Sequence, residues 1–355
     1  MRTNDEKSGY LFFRLISSGV FILLLLLCAG CSNGGNTAAS QTPWETLVQE
    51  NRLWSGKTGC WEGYNQGGDP GEYYEYPGYG LRIDYAHPEY YATINPDGSL
   101  TKPGYQDAKH QGQASIDYTE LLQMCQNIHD KGVSICFAMF IHNFETVGSG
   151  ALQEFFQNWS KDLKAMGIGS IIFIPAWEVQ GQWPAWPEGA TRDCFISPSA
   201  FNSQMVIIKA ARDNARAAFP DGAEILLGGV LNAWLDIGYP NSDGNSYSGR
   251  QYIAGLQQAD WVGVDYYPGK AGTYGGPEDA FQDASALYGA VGTGSSFAIF
   301  EYSPQTSDGS NWSNGDKVDF IKTTYELLQA NPFIKQVDWW FIGRGSDNVR
   351  ISCDQ

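Results

Sequence analysis

Charged residues are scarce in this 355-residue chain, at 17%, and the basic ones are scarcer: 22 Lys and Arg stand against 39 Asp and Glu, a formal net charge of −17. A field of that sign repels phosphate backbones, which excludes nucleic acid as a partner. Only four histidines are present and no H-E-x-x-H, so a catalytic zinc lacks its ligands and no metal site is expected. No G-x-S-x-G supplies the nucleophile of an esterase-type serine hydrolase. No G-x-G-x-x-G follows an apolar run, which removes the usual dinucleotide cradle, and no cofactor is called for. What is abundant is aromatic: 14% of the chain, with 12 Trp and 20 Tyr, inside an apolar fraction of 43%. That composition is globular, and it fits a large core or a groove walled by flat rings.

The amino terminus reads as an address. Arg2, Lys7 and Arg14 precede an apolar run from Leu15 to Leu27, followed by small residues, the order of a secretory signal. The run is shorter than the roughly 20 residues that span a bilayer, which weakens the alternative of a simple membrane anchor. Leu27-Cys28-Ala29-Gly30-Cys31 resembles a bacterial lipobox, with Cys28 where Leu or a similar residue is usual. The resemblance implies a lipoprotein signal peptide over 1–30 and a lipid on Cys31 as the new amino terminus. A tether rich in Gly, Ser, Asn, Thr and Ala follows over 31–43, then a single domain over 44–355. The expected location is the cell envelope, with the lipid as the only membrane contact. Five cysteines remain beyond Cys31: Cys60, Cys125, Cys136, Cys194 and Cys353. Their number is odd, none are spaced C-x-x-C, and no pairing follows from the sequence.

From residue 44 the chain alternates apolar runs with amphipathic helices, without repeat or linker. Asp117 and Glu120 open a helix with the stripe Leu121, Cys125, Ile128 and the stop Gly132. Leu152, Phe155, Phe156, Trp159, Leu163 and Met166 share a second helical face that ends at Gly167. Phe201, Met205, Ile208 and Ala215 mark a third helix, and Val318, Ile321, Tyr325 and Leu328 a fourth. Between them, 133–140, 171–177, 225–231, 261–267, 297–302 and 337–342 read as buried strands, with 60–64 and 81–85 completing eight. Near-continuous apolar strands alternating with helices predict the α/β class and a (β/α)8 TIM barrel in one domain. A doubly wound open sheet is the rival.

In such a barrel the carboxyl ends of the strands point into the site. Two apolar runs stop on glutamate: Ile171 through Trp177 on Glu178, and Phe297 through Phe300 on Glu301. Burying a carboxylate costs several kcal/mol unless it is paired, so stability gives little reason for either. Two on opposite walls of one pocket can differ in environment, one kept protonated and the other ionised. Glycoside hydrolysis needs such a pair.

Ile174-Pro175-Ala176-Trp177-Glu178-Val179-Gln180-Gly181-Gln182-Trp183 is similar to the strand-four motif of glycoside hydrolase family 26, roughly R-P-x-H-E-M-N-G-x-W. Asp260-Trp261-Val262-Gly263-Val264-Asp265-Tyr266-Tyr267 is similar to its strand-six motif, and Asp338-Trp339-Trp340-Phe341 to the end of its strand eight. The resemblance covers about 170–342 and implies a retaining glycosidase: Glu178 as acid/base, Glu301 as nucleophile, Tyr267 bonding the nucleophile, and Trp183 and Trp340 as sugar platforms. Three positions depart from the family. Its His is Trp177, its Asn is Gln180 and its Arg is Ile174, so Trp177 and Gln180 are expected at a substrate subsite that reads its sugar differently. Arg82 with Asp84, and His142 with Asn143, are further candidates for sugar contacts, Arg82 and Asp84 alternatively forming a structural pair. The expected partner is a β-linked polysaccharide such as mannan or mixed-linkage glucan, met by a monomer. A non-catalytic glycan-binding lipoprotein and a transglycosylase are the alternatives.

Overall fold

The computed structural model describes residues 57–62, 85–103, 115–180, 182–185, 190–193, 195–232, 235–236, 238–240, 244–269, 275–292, 294–302, 304 and 313–340. All lie in the unit Pro43–Gln355. Eight strands run parallel: β1 (Lys57–Glu62), β2 (Tyr85–Ile94), β4 (Ser134–Ile141), β5 (Ser170–Ile174), β8 (Glu224–Asn232), β11 (Trp261–Tyr266), β12 (Ser296–Tyr302) and β13 (Ile334–Trp340). Each pairs with the next in chain order, and β1 pairs with β13 on one side, Lys57 opposite Gln336, and with β2 on the other, Gly59 opposite Tyr85. Every one of the eight therefore has two parallel neighbours, and the ladder closes on itself. Short antiparallel pieces decorate the strand ends: β3 (Leu100–Thr101) folds back on β2, β6 (Gln182–Ala185) pairs with β7 (Ala190–Asp193), and β9 (Tyr239–Pro240) with β10 (Ser246–Tyr247).

Helices fill the crossovers. In α1 (Tyr118–Asp130), Asp117 and Glu120 form a reciprocal capping box, and Leu121, Cys125 and Ile128 are buried. Gly132 follows at φ 73, a conformation that L side chains avoid. In α2 (Ser149–Ala165), Phe155, Phe156 and Trp159 pack on Phe173 of β5 with ring centroids 5.3–6.1 Å apart. The third helix, α3 (Pro198–Ala218), buries the expected face, and Arg212 adds a polar anchor. Its Nη1 donates to Asp260 Oδ2 at 2.6 Å and to Ile225 O at 2.7 Å, and the same carboxylate oxygen accepts from Leu227 N at 2.8 Å. Asp260, part of the strand-six motif, thus works as scaffolding.

Four elements differ from expectation. The first strand, expected at 60–64, runs Lys57–Glu62, and 63–64 lie outside the described residues. The second strand was placed at 81–85 but runs Tyr85–Ile94, and 81–84 lie outside the described residues. Pro88 inside it has no N–H to donate, which hides the strand from pattern reading. Helix α5 (Pro277–Val291), which follows the very short α4 (Ile253–Leu256), is absent from the sequence reading; its buried face combines Ala280 and Ala284 with Phe281, Leu287 and Val291. In α6 (Asn314–Ala330) the buried face is Phe320, Thr324, Tyr325 and Leu328, and Val318 is exposed at 45%. Cys125 and Cys136 are buried free thiols.

Candidate active site

The strands β5, β8, β11 and β12 end side by side, and each end delivers a polar side chain. Strand β5 stops at Ile174 because Pro175 cannot extend the ladder, and the chain turns through Trp177 to Glu178. This loop is bolted down. Pro175 O accepts from Ile141 N at 3.2 Å, and Val179 O accepts from Ile196 N at 3.1 Å and from the Tyr252 hydroxyl at 3.3 Å. Glu178 is 5% exposed and, among the described residues, the one non-glycine at positive φ, 48°. Left-handed backbone costs an L residue roughly 1–2 kcal/mol. Strain of this kind is kept where surrounding contacts over-determine it, often at functional sites.

The other carboxylates come from β11 and β12. Asp265 stands opposite Asn232 of β8 and opposite Glu301 of β12. The second pairing depends on a bulge: Val264 faces Ile299, so Phe300 is passed over and Glu301 takes the position beside Asp265. Since side chains alternate along a strand, a regular register would have put Phe300 there and sent Glu301 to the other face. Gly263 makes the close approach feasible, because a Cβ on it would lie 2.2 Å from Ala298 O and 2.7 Å from the Phe300 ring.

Glu178, Asp265 and Glu301 converge, with one carboxylate oxygen from each lying within 4.8 Å of the others. Asp265 and Glu301 are each 1% exposed. At an effective dielectric near 20, two full charges at that spacing repel by about 3–4 kcal/mol, which favours keeping a proton within the cluster. Neutral donors face it. Asn232 Nδ2 donates to Glu178 Oε1 at 2.9 Å, and the Tyr267 hydroxyl donates to Glu301 Oε2. Burial first, and then the charges of Glu301, Glu178 and Asp265, push the Tyr267 hydroxyl well above its ordinary ionisation range, so it stays a donor. Burial does the same to the Cys136 thiol beneath, with Asp338 and Asp265 adding to it. Oxygen-only donors of this kind also suit a hard cation. N–H and O–H groups are aimed at two of the three carboxylates, Glu178 and Glu301.

No family model matches the chain, and neither does any curated protein. Among solved structures it is similar to a glucosidase from Croceicoccus marinus, with 11% identity and a TM-score of 0.47, over 75% of this chain and 54% of that one. The chain thus spans little more than half the length of that glucosidase. It is also similar to the catalytic domain of a Bacillus sp. family 26 endo-β-1,4-mannanase, with 17% identity and a TM-score of 0.42, over 90% of this chain and 75% of that one. A third similar structure, a ruminal family 26 endo-β-1,4-mannanase, has 13% identity and a TM-score of 0.46, over 88% of this chain and 65% of that one.

Of the residues expected from the sequence, Glu178, Glu301 and Tyr267 stand together. Trp177, expected at a substrate subsite, is 1% exposed and meets the rings of Tyr91 and Phe140 at 5.4 and 5.5 Å. Gln180 is 0% exposed, and both ends of its amide are taken by the main chain of Asn232, so it braces the site from behind. His142 is exposed after β4, while Asn143 ties that turn to β2, exchanging hydrogen bonds with Ile94 N and O. Trp183 and Trp340 belong to β6 and β13, but their side chains lie outside what is described, as do Arg82 and Cys31 altogether. Two members were missed, Asp265 and Asn232. Both are polar residues closing an apolar strand run, the signal that marked the glutamates.

Proposed function

We propose that the protein is a retaining β-glycosidase of (β/α)8 barrel architecture related to glycoside hydrolase family 26. Its substrate is a β-linked polysaccharide, mannan or mixed-linkage glucan. One observation carries the reading: Glu178 and Glu301 reach each other from different strand ends with oxygens inside 4.8 Å. Retaining enzymes hold their carboxyl groups about 5–5.5 Å apart, whereas inverting enzymes leave roughly 6.5–9.5 Å for a water.

In this mechanism Glu301, oriented by Tyr267, attacks the anomeric carbon while Glu178 gives its proton to the departing glycosidic oxygen. A covalent glycosyl-enzyme results, and Glu178, now ionised, takes a proton from the water that hydrolyses it. Export through the 1–30 signal and a lipid on Cys31 would hold a monomer at the cell envelope, facing extracellular polysaccharide. Product analysis on β-mannan, mixed-linkage β-glucan and xylan, with Glu301→Gln in parallel, tests this. Turnover of one substrate that vanishes in the variant is expected. Glycan binding without turnover by either protein would overturn it.

A further inference from the structure

We propose that Asn232 is a positioning residue that sets the orientation and ionisation of Glu178, and that Gln180 aims it. The kinetic consequences rest on the glycosidase reading; the geometry does not. Strands β5 and β8 are paired from Ser170 opposite Glu224 to Phe173 opposite Leu227, well short of Asn232. Beyond that point the Gln180 side chain takes over as neighbour to β8. Its Nε2 donates to Asn232 O at 2.8 Å, and its Oε1 accepts from Asn232 N at 2.7 Å. An amide side chain thereby satisfies both polar groups of one peptide position, as an adjacent strand would. With its backbone fixed, Asn232 places Nδ2 2.9 Å from Glu178 Oε1. The spacing Glu178–Gln180 links the two ends of the device: the residue that clamps Asn232 lies two positions from the one Asn232 holds, on the loop anchored at Pro175 and Val179.

The remaining described titratable groups around Glu178 explain why a neutral donor is needed. Asp265 from β11 and Glu301 from β12 are carboxylates, and Tyr267 after β11 is a phenol held in its neutral form. Nearby carboxylates favour the protonated form of Glu178. A hydrogen bond donated to the carboxylate offsets this by favouring the charged form.

The test compares wild type with Asn232→Ala, the isosteric Asn232→Asp, and Gln180→Ala, which leaves the donor present but no longer aimed. Three readouts are taken: the pH profile of kcat/KM, thermal stability, and Glu178 titration. The last uses carbon NMR of carboxyl-labelled glutamate, assigned by Glu178→Gln, and needs no turnover. Loss of a hydrogen bond to a charged group is expected to move the Glu178 titration up by roughly one pH unit in Asn232→Ala. The alkaline limb of kcat/KM, which requires protonated Glu178, should move with it, and kcat should fall roughly ten- to a hundred-fold. Asn232→Asp should shift further in the same direction, and Gln180→Ala less far. If one Asn232 variant does not fold, the other two variants still decide the matter. A Glu178 titration unmoved in the folded variants overturns the proposal, even if stability and kcat fall. Should the wild type turn over nothing while that titration shifts, the glycosidase reading fails and the positioning role stands.

Discussion

Replacing Tyr267 by Phe removes one oxygen from the site and leaves the ring. The hydroxyl donates to Glu301 Oε2, and burial together with three nearby carboxylates keeps it protonated over any working pH. Hydrogen bonds to charged groups contribute about 1.5–3 kcal/mol, which corresponds to roughly ten- to hundred-fold in rate if the bond persists in the transition state. The sign of the pH effect follows from what the donor favours. It favours the ionised form of Glu301, so without it the Glu301 carboxyl should hold its proton to higher pH. In the proposed mechanism the acid limb of kcat/KM is set by ionised Glu301, and it should move up by roughly one to two pH units, with the alkaline limb in place. Initial rates on the polysaccharide that the wild type turns over, measured across the pH range, give both limbs. An acid limb that stays put, with kcat within twofold of wild type, would refute the assignment of Tyr267 to Glu301.

Other outcomes test the frame that holds the site. Gly263→Ala forces a Cβ against Ala298 O and the Phe300 ring, and a loss of about 2–3 kcal/mol in urea unfolding is expected; wild-type stability would show that β11 and β12 have room. Arg212→Ala removes the charged donor from Ile225 O and from Asp260 Oδ2, which keeps its bond from Leu227 N, and should cost about 2 kcal/mol, discounted because Asp260 is a third exposed. An unchanged midpoint would contradict that anchor. Burial pushes the Cys125 thiol up to about 12 and raises that of Cys136 well above its ordinary value, so both should resist thiol reagents at pH 8 in the folded protein. Peptide mapping after labelling checks this, and rapid modification of either would contradict their burial.

Much of the frame was legible in the sequence because burial leaves a period. The stripe of α1 and its capping box, the aromatic face of α2, and the apolar runs of six of the eight strands all match the elements that formed. The site was legible where charge interrupts an apolar run, as at Glu178 and Glu301. The same rule applied to Asn232 and Asp265 would have completed it, yet nothing local reveals the bulge at Phe300 that brings Glu301 beside Asp265. Register between strands is a tertiary property. Trp177 and Gln180 show a second limit: their ring contacts and main-chain hydrogen bonds depend on three-dimensional packing that the sequence does not display. Strand β2 was misplaced because Pro88 breaks the pattern without breaking the strand.

The claim that Glu178 and Glu301 work as a close pair through a covalent intermediate is tested most directly by the anomeric configuration of the first product. Proton NMR recorded in the opening minutes of hydrolysis, before mutarotation, resolves it on whichever β-linked polysaccharide is cleaved. The account requires the β-anomer to appear first and the α-anomer to grow in later. An α-anomer at the outset would mean single displacement by water, which carboxylates this close leave no space for, and would contradict it.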